Sequence, residues 1–168
     1  TIMGTLIGDA LGLGCHWYYD LKAMRADYGD WISDYTDQRP DRTDDFSLIA
    51  KHRHEFGLRA GDVSQTGSLI VMLVDSVADC GGYDEDDYTT RFDAFLETLD
   101  GSEMRADVGH SVAGLSGGFT DRAERHLWKN RKLGIPWGEA GSLTDTSEAA
   151  QRAIVFAALH GEDYETMA

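Results

Sequence analysis

The sequence predicts an all-α fold. Three observations carry that expectation. Apolar residues recur at helical spacing in several segments, strand-like alternation persists nowhere, and residues 68–79 form an apolar stretch closed by Gly81-Gly82. A chain of 168 residues is long enough for one domain around one core, so residues 1–168 read as a single domain.

The first helix is expected over residues 2–11. Ile2, Leu6 and Ala10 share one face there, with Met3 and Ile7 beside them. Gly4, Gly8 and Gly12 recur every fourth residue, which reads as a surface for close helix–helix packing. A phosphate-cradling glycine loop would need a preceding strand, and none is present. Residues 29–61 are acidic and aromatic, contain Pro40, and read as a long loop over the surface. Next comes the helix over 68–79. Leu69, Leu73 and Val77 form its stripe, Ile70 and Val74 widen it, and Val71 and Met72 carry apolar surface almost all the way round. It is expected to be the buried central helix.

Asp84 caps a further helix over 85–99, whose stripe is Tyr88, Phe92, Phe95 and Leu99. Residues 109–118 read as a loop or broken helix, and 121–132 as a short amphipathic helix. Thr146 or Ser147 caps the last helix, 148–159, with Glu148 in its first turn.

Composition narrows the partners. The chain carries 15 Lys+Arg against 30 Asp+Glu, a net charge of −15, so nucleic acid and anionic membranes are excluded as natural partners. The longest apolar runs, 69–74 and 153–159, are too short to cross a bilayer. Cys15 and Cys80 stand alone without metal-ligand spacing, which fits a reducing, cytoplasmic setting. The chain opens on Thr1 and stops after Met167-Ala168, which suggests a fragment of a longer reading frame. If so, Ile154, Val155 and Leu159 should form an apolar edge covered by another chain or by a missing C-terminal half.

A serine or cysteine hydrolase has little support. Neither Ser116 nor Ser142 sits in a G-x-S-x-G elbow after a strand, and Cys15 beside His16 is mere adjacency.

Four segments, taken in order, resemble one family. Gly4-Thr5-Leu6-Ile7-Gly8-Asp9-Ala10-Leu11-Gly12 is similar to the GxxxGDALG opening of ADP-ribosylglycohydrolases. His16-Trp17-Tyr18-Tyr19-Asp20 follows it, as in a divergent branch that includes the J-crystallins. The apolar helix ending in Asp75-Ser76 leads to Gly81-Gly82-Tyr83-Asp84 and Tyr88. Last, Thr146-Ser147-Glu148-Ala149-Ala150-Gln151-Arg152 is similar to a later small-residue segment ending in arginine. The resemblance runs over nearly the whole chain and corresponds to the N-terminal part of a family domain.

That resemblance implies a compact orthogonal helical bundle, incomplete in this chain. It also implies a hydrolase of the ADP-ribosyl hydrolase or dinitrogenase-reductase-activating glycohydrolase kind. Such enzymes cleave the glycosidic bond between ADP-ribose and a protein side chain or other acceptor. An ADP-ribose-type small molecule or an ADP-ribosylated protein is the implied partner. Two Mg2+ or Mn2+ ions are the implied cofactors, held by hard carboxylate oxygens so that they orient water and polarise ribose oxygens.

Alignment through Asp75-Ser76 puts Ser64, Gln65 and Thr66 where the family has the Thr-Asp-Asp metal ligands. Neutral oxygens hold magnesium weakly, so the metal site is doubtful on the sequence alone. Thr43-Asp44-Asp45-Phe46 imitates the triplet. The charged run that follows it, Lys51-His52-Arg53-His54-Glu55, is not a buried central helix, and a solvated loop is the simpler reading. Thr144-Asp145-Thr146 imitates part of the family's second ligand motif, but its surroundings suit the arginine-ending segment.

The candidate ligand-contacting residues are Asp9, His16, Trp17 and Arg152; each also has a plain structural reading. Asp9 suits a carboxylate that organises helix ends. His16 stands where other members have a glutamate lining the ADP-ribose cleft, and it equally suits a cleft wall. Trp17, Tyr18 and Tyr19 suit adenine stacking or packing. Arg152 suits a phosphate contact or a pair with Glu148 one turn earlier. His52 and His54 read as a solvated face, and nothing beyond neighbouring glycines singles out His110. Two readings therefore stand: a hydrolase of this type, or a non-catalytic relative that is crystallin-like or merely binds ADP-ribose.

Overall fold

The computed structural model of the chain describes residues 1–44, 47–100, 122–143 and 147–161. The described residues are helical and connecting segments, with no strand among them, so the fold is all-α. Asp45, His110, Ser116 and Thr144 to Thr146, for which the sequence raises expectations, lie outside the described residues, as does the segment 109–118.

The first helix, α1 (Ile2–Leu13), runs two residues further than the periodicity predicts. Ile2 and Leu6 pack on the core and Ala10 and Leu13 are buried, as their spacing demands. Met3 and Ile7, expected beside them, are 68% and 42% exposed. The glycine stripe is also a correction. A Cβ built on Gly4, Gly8 or Gly12 meets nothing within 4 Å, so this face touches no described helix. α1 buries its other side.

Helix α2 (Leu21–Tyr28) was not anticipated, although its signals are local. Asp20 accepts hydrogen bonds from the Lys22 and Ala23 amides, and Gly29 stops the helix at φ 85°. The expected loop over 29–61 is interrupted by α3 (Ser47–Glu55), which is a second correction. Its sequence is charged because one narrow face, Ala50 and Arg53, is buried while His52 and Lys51 stay exposed.

The central helix α4 (Gln65–Cys80) starts three residues before the apolar stretch. Ser64 is its N-cap and Gly81, left-handed at φ 72°, its C-cap. Leu69, Ile70, Met72, Leu73 and Ser76 are at most 2% exposed, so this is the buried helix the sequence predicts. Helix α5 (Glu85–Glu97) begins at Asp84, whose carboxylate accepts the Asp87 amide at 2.9 Å, and it ends in a 3₁₀ turn (Thr98–Asp100). Tyr88, Phe92, Phe95 and Leu96 meet α4 and Leu58 in one cluster. Burial of each large side chain there contributes about 1.5–3 kcal/mol.

Helix α6 (Arg122–Lys132) is joined to α5 by a bidentate pair. The Arg131 guanidinium donates to both Asp93 oxygens at 2.9 and 2.7 Å, and Trp137 Nε1 adds a third bond at 3.1 Å. Trp137 opens the short α7 (Trp137–Ala140). The last predicted helix divides into α8 (Glu148–Gln151) and α9 (Ala153–His160). At the division Val155 N–H bonds back only to Arg152 C=O, a tighter 3₁₀-type closure. Val155, expected at an open apolar edge, is 1% exposed within the core, because α9 lies against α1 and α4. Leu159 is 43% exposed.

Candidate functional site

Asp9 and Ser64 meet where α1 crosses the start of α4. The Asp9 carboxylate accepts the Ser64 amide at 2.5 Å and the Ser64 hydroxyl at 2.7 Å. That same hydroxyl accepts the Gly67 amide at 3.3 Å, so it relays the helix end to the carboxylate. The peptide dipoles of α4 put partial positive charge where Asp9 sits, and the four leading amides of any helix lack intrahelical partners. Gly67 makes the approach possible, since a Cβ there would lie 2.6 Å from Asp9 Oδ2 and 2.7 Å from the Val63 Cβ. The Gly8-Asp9 pair thus delivers its carboxylate to the first turn of the central helix.

Ser64, Gln65 and Thr66 occupy the cap and first two positions of α4, where the alignment expects metal ligands. Gln65 and Thr66 are 6% and 7% exposed, and the Ser64 hydroxyl is already shared between Asp9 and Gly67. This donor set does not fit a hard dication. It brings one carboxylate, committed to a helix end, and otherwise neutral oxygens, which do not offset dehydration of Mg2+. No group of three or more metal-ligating side chains occurs among the described residues. The competing triplet fares no better, because both Asp44 oxygens accept from Arg42 at 2.7 Å.

His16 and Trp17 belong to a second group, built where α1 ends. The last carbonyls of a helix need donors, and side chains from the following 30 residues supply them. Gln38 Nε2 donates to Leu13 C=O at 2.6 Å and the Tyr28 hydroxyl to Gly14 C=O at 2.9 Å. Arg42 Nη2 donates to Trp17 C=O at 2.7 Å and Nη1 to His16 C=O at 3.4 Å. The Arg42 guanidinium also lies 3.8 Å from the centre of the Tyr18 ring. Trp17 has φ 63°, the only non-glycine residue with positive φ among those described. A bulky residue there costs about 1 kcal/mol or more and persists only when its surroundings hold it. Arg42 is that hold.

The imidazole of His16 faces a second buried arginine. Arg53 Nη1 of α3 stands 3.1 Å from His16 Nδ1, with Arg53 only 7% exposed and His16 exposed. Tyr18 and Tyr28 meet edge to face, ring centres 5.9 Å apart. Burial, reinforced by the hydrogen bond to Asp27, pushes the Tyr18 hydroxyl up to about 12; burial also pushes Tyr28 up to about 12.

Arg152 lies elsewhere. Its guanidinium is 5.6 Å from the Phe92 ring centre and acts electrostatically on Tyr88, whose hydroxyl burial raises to about 12. Tyr88 and Phe92 belong to α5, which turns back from the C-terminal end of α4, whereas Asp9 is at the N-terminal end. The structure therefore joins Asp9 to Ser64, places His16 and Trp17 just past the end of α1, and sets Arg152 by Phe92 and Tyr88 of α5. His126 Nδ1 and Ser142 Oγ pair at 2.9 Å, and no carboxylate among the described residues completes a triad with them.

Sequence reasoning missed Gln38, Arg42 and Arg53, because a buried arginine in a polar loop looks like any solvated one. The available signal was the unpaired C-terminal end of α1, which obliged something downstream to supply donors.

A family model described as ADP-ribosylglycohydrolase matches residues 1–168. No curated protein and no solved structure matches the chain.

Proposed function

The chain belongs to the ADP-ribosylglycohydrolase family, and on that premise we propose that it recognises ADP-ribose joined to a protein or other acceptor and hydrolyses the bond between them. The family match over the whole chain carries this reading. In such a hydrolysis a water oxygen bonds to the anomeric ribose carbon, the carbon–acceptor bond breaks, and the water's proton ends on the departing acceptor. The groups suited to hold the ligand are the exposed His16 imidazole and the fixed Trp17 beside it, rings 5.5 Å apart. The candidate role of Arg152 as a phosphate contact requires a ligand that reaches the α5 face. Mg2+ or Mn2+ is the cofactor the family resemblance implies, but the neutral donors in the first turn of α4 do not fit it.

A second reading has an observation of its own. Asp9 spends both oxygens on Ser64, and the two residues that follow are neutral. That arrangement favours a relative that binds ADP-ribose without cleaving it, or a crystallin-like one. One experiment separates them: incubation with an ADP-ribosylated protein while released ADP-ribose is measured, alongside calorimetric titration with ADP-ribose. Release above the no-protein blank supports hydrolysis. Binding without release supports the binding relative, and neither result supports the crystallin-like one.

A further inference from the structure

We propose that Arg53 is a positioning residue that holds His16 as the neutral tautomer with its proton on Nε2, so that the imidazole meets a ligand as a hydrogen-bond donor. The ligand half of this inference rests on the ADP-ribose reading above; the tautomer half does not.

The chemistry is one-directional. A guanidinium has five N–H donors, no acceptor, and keeps its charge at any pH the fold survives. A ring nitrogen 3.1 Å from Arg53 Nη1 must therefore present a lone pair, and that nitrogen is Nδ1. A neutral imidazole has one proton for two nitrogens, so it resides on Nε2. Protonating Nδ1 as well would set an N–H against an N–H and a cation against a cation.

The surroundings show that this geometry is held rather than incidental. Arg53 approaches from α3 and is 7% exposed, while Arg42 approaches from the preceding loop and is 8% exposed. Arg42 is itself fixed by both Asp44 oxygens at 2.7 Å and grips the carbonyls of His16 and Trp17. The backbone at Trp17 is turned into the left-handed region at φ 63°. Two buried arginines thus orient one exposed histidine, one through its backbone and one through its ring. A solvated surface histidine needs neither. The acceptor this donor suits is a phosphate, hydroxyl or ring-nitrogen atom of an ADP-ribose-type ligand, not a metal ion.

The test uses the full chain labelled with 15N-histidine. Long-range proton–nitrogen correlation at mildly alkaline pH should show His16 Nδ1 unprotonated and Nε2 protonated, with no minor tautomer. Arg53→Met should relax the ring toward the mixture of tautomers seen in a free imidazole, and Arg53→Lys should restore the single form. A mixed or Nδ1-protonated ring in the unmodified chain overturns the proposal, whether or not the Arg53 variants fold. In calorimetric titration with ADP-ribose, His16→Gln, which keeps a donor near the Nε2 position, should bind within about threefold of the unmodified chain. His16→Phe should lose about tenfold, the worth of one hydrogen bond. Equal loss in both variants overturns the donor role. No binding of ADP-ribose by the unmodified chain overturns the ligand reading, and the tautomer spectrum still decides the positioning.

Discussion

Removing the Asp9 carboxylate tests whether that group serves the helix end or a ligand. Asp9→Ala deletes an acceptor that takes the Ser64 amide at 2.5 Å and its hydroxyl at 2.7 Å. Hydrogen bonds to an ionised group contribute about 1.5–3 kcal/mol each net of exchange with water; Asp9 is only half-buried, so rehydration of Ser64 in the variant offsets some of the loss. Loss of a negative charge at a helix N-terminus adds roughly 0.3–1 kcal/mol. The net expectation is about 2–3 kcal/mol for Asp9→Ala. For Asp9→Asn, which keeps one carbonyl oxygen but turns an NH2 toward a donor, it is about 1–2 kcal/mol. For a chain of this size that corresponds to a fall in Tm of roughly 5–10 °C for the alanine variant. Ser64→Ala should cost about 1 kcal/mol through the lost cap. Because both substitutions remove the same bond, that from the Ser64 hydroxyl to the Asp9 carboxylate, the double variant should be less destabilised than the sum by about 1 kcal/mol. The assay is thermal and urea unfolding followed by circular dichroism, on the unmodified chain and all four variants. Additive costs, or an Asp9→Asn variant with unchanged Tm but abolished ADP-ribose binding, would refute the helix-end account.

Three further outcomes are expected. Alanine at two glycines should act with opposite sign in urea unfolding. Gly67→Ala should destabilise by about 1–3 kcal/mol, because its Cβ would strike Asp9 Oδ2 at 2.6 Å, while Gly4→Ala, with open space around it, should stabilise by about 0.5–1 kcal/mol. Tyr18, Tyr28 and Tyr88 should titrate near 12 in the folded chain, against about 10 when unfolded. The neutral hydroxyls stabilise the fold fully below about pH 10, and that contribution is lost as pH rises through about 12, so tyrosinate absorbance should develop late and together with alkaline unfolding. Finally, Ser64→Thr, Gln65→Asp and Thr66→Asp combined should create weak Mg2+ or Mn2+ binding seen as a metal-dependent rise in Tm, while the unmodified chain should show no tight binding by calorimetry. Tight binding by the unmodified chain would mean that the site has been placed wrongly.

The predictable parts of this fold are those fixed by local chemistry. Leu69, Leu73 and Val77 repeat at helical spacing, Asp84 precedes a run of helix formers, and Gly81 stops a helix by adopting φ 72°. Each needs only its own neighbours, so the central helix and the α5 boundary were legible in sequence. The resemblance also brought Asp9 and Ser64 to notice, though not to each other.

The misreadings share a cause. Whether the glycine face of α1 is covered, and whether Met3 and Ile7 are inside, depends on which helices arrive from elsewhere, and these pack on Leu6, Ala10 and Leu13 instead. Segment 29–61 looked like a solvated loop because its composition is polar. Its buried members, Gln38, Arg42 and Arg53, are polar residues satisfied by carbonyls and an imidazole 25 to 37 positions away in sequence. By itself, then, the sequence determined the all-α class, the central helix, the Asp84 cap of α5 and the absence of charge at Ser64, Gln65 and Thr66. Only the tertiary structure decided which polar groups are buried together, since a hydrogen bond that offsets desolvation across such separations leaves no periodicity in the chain.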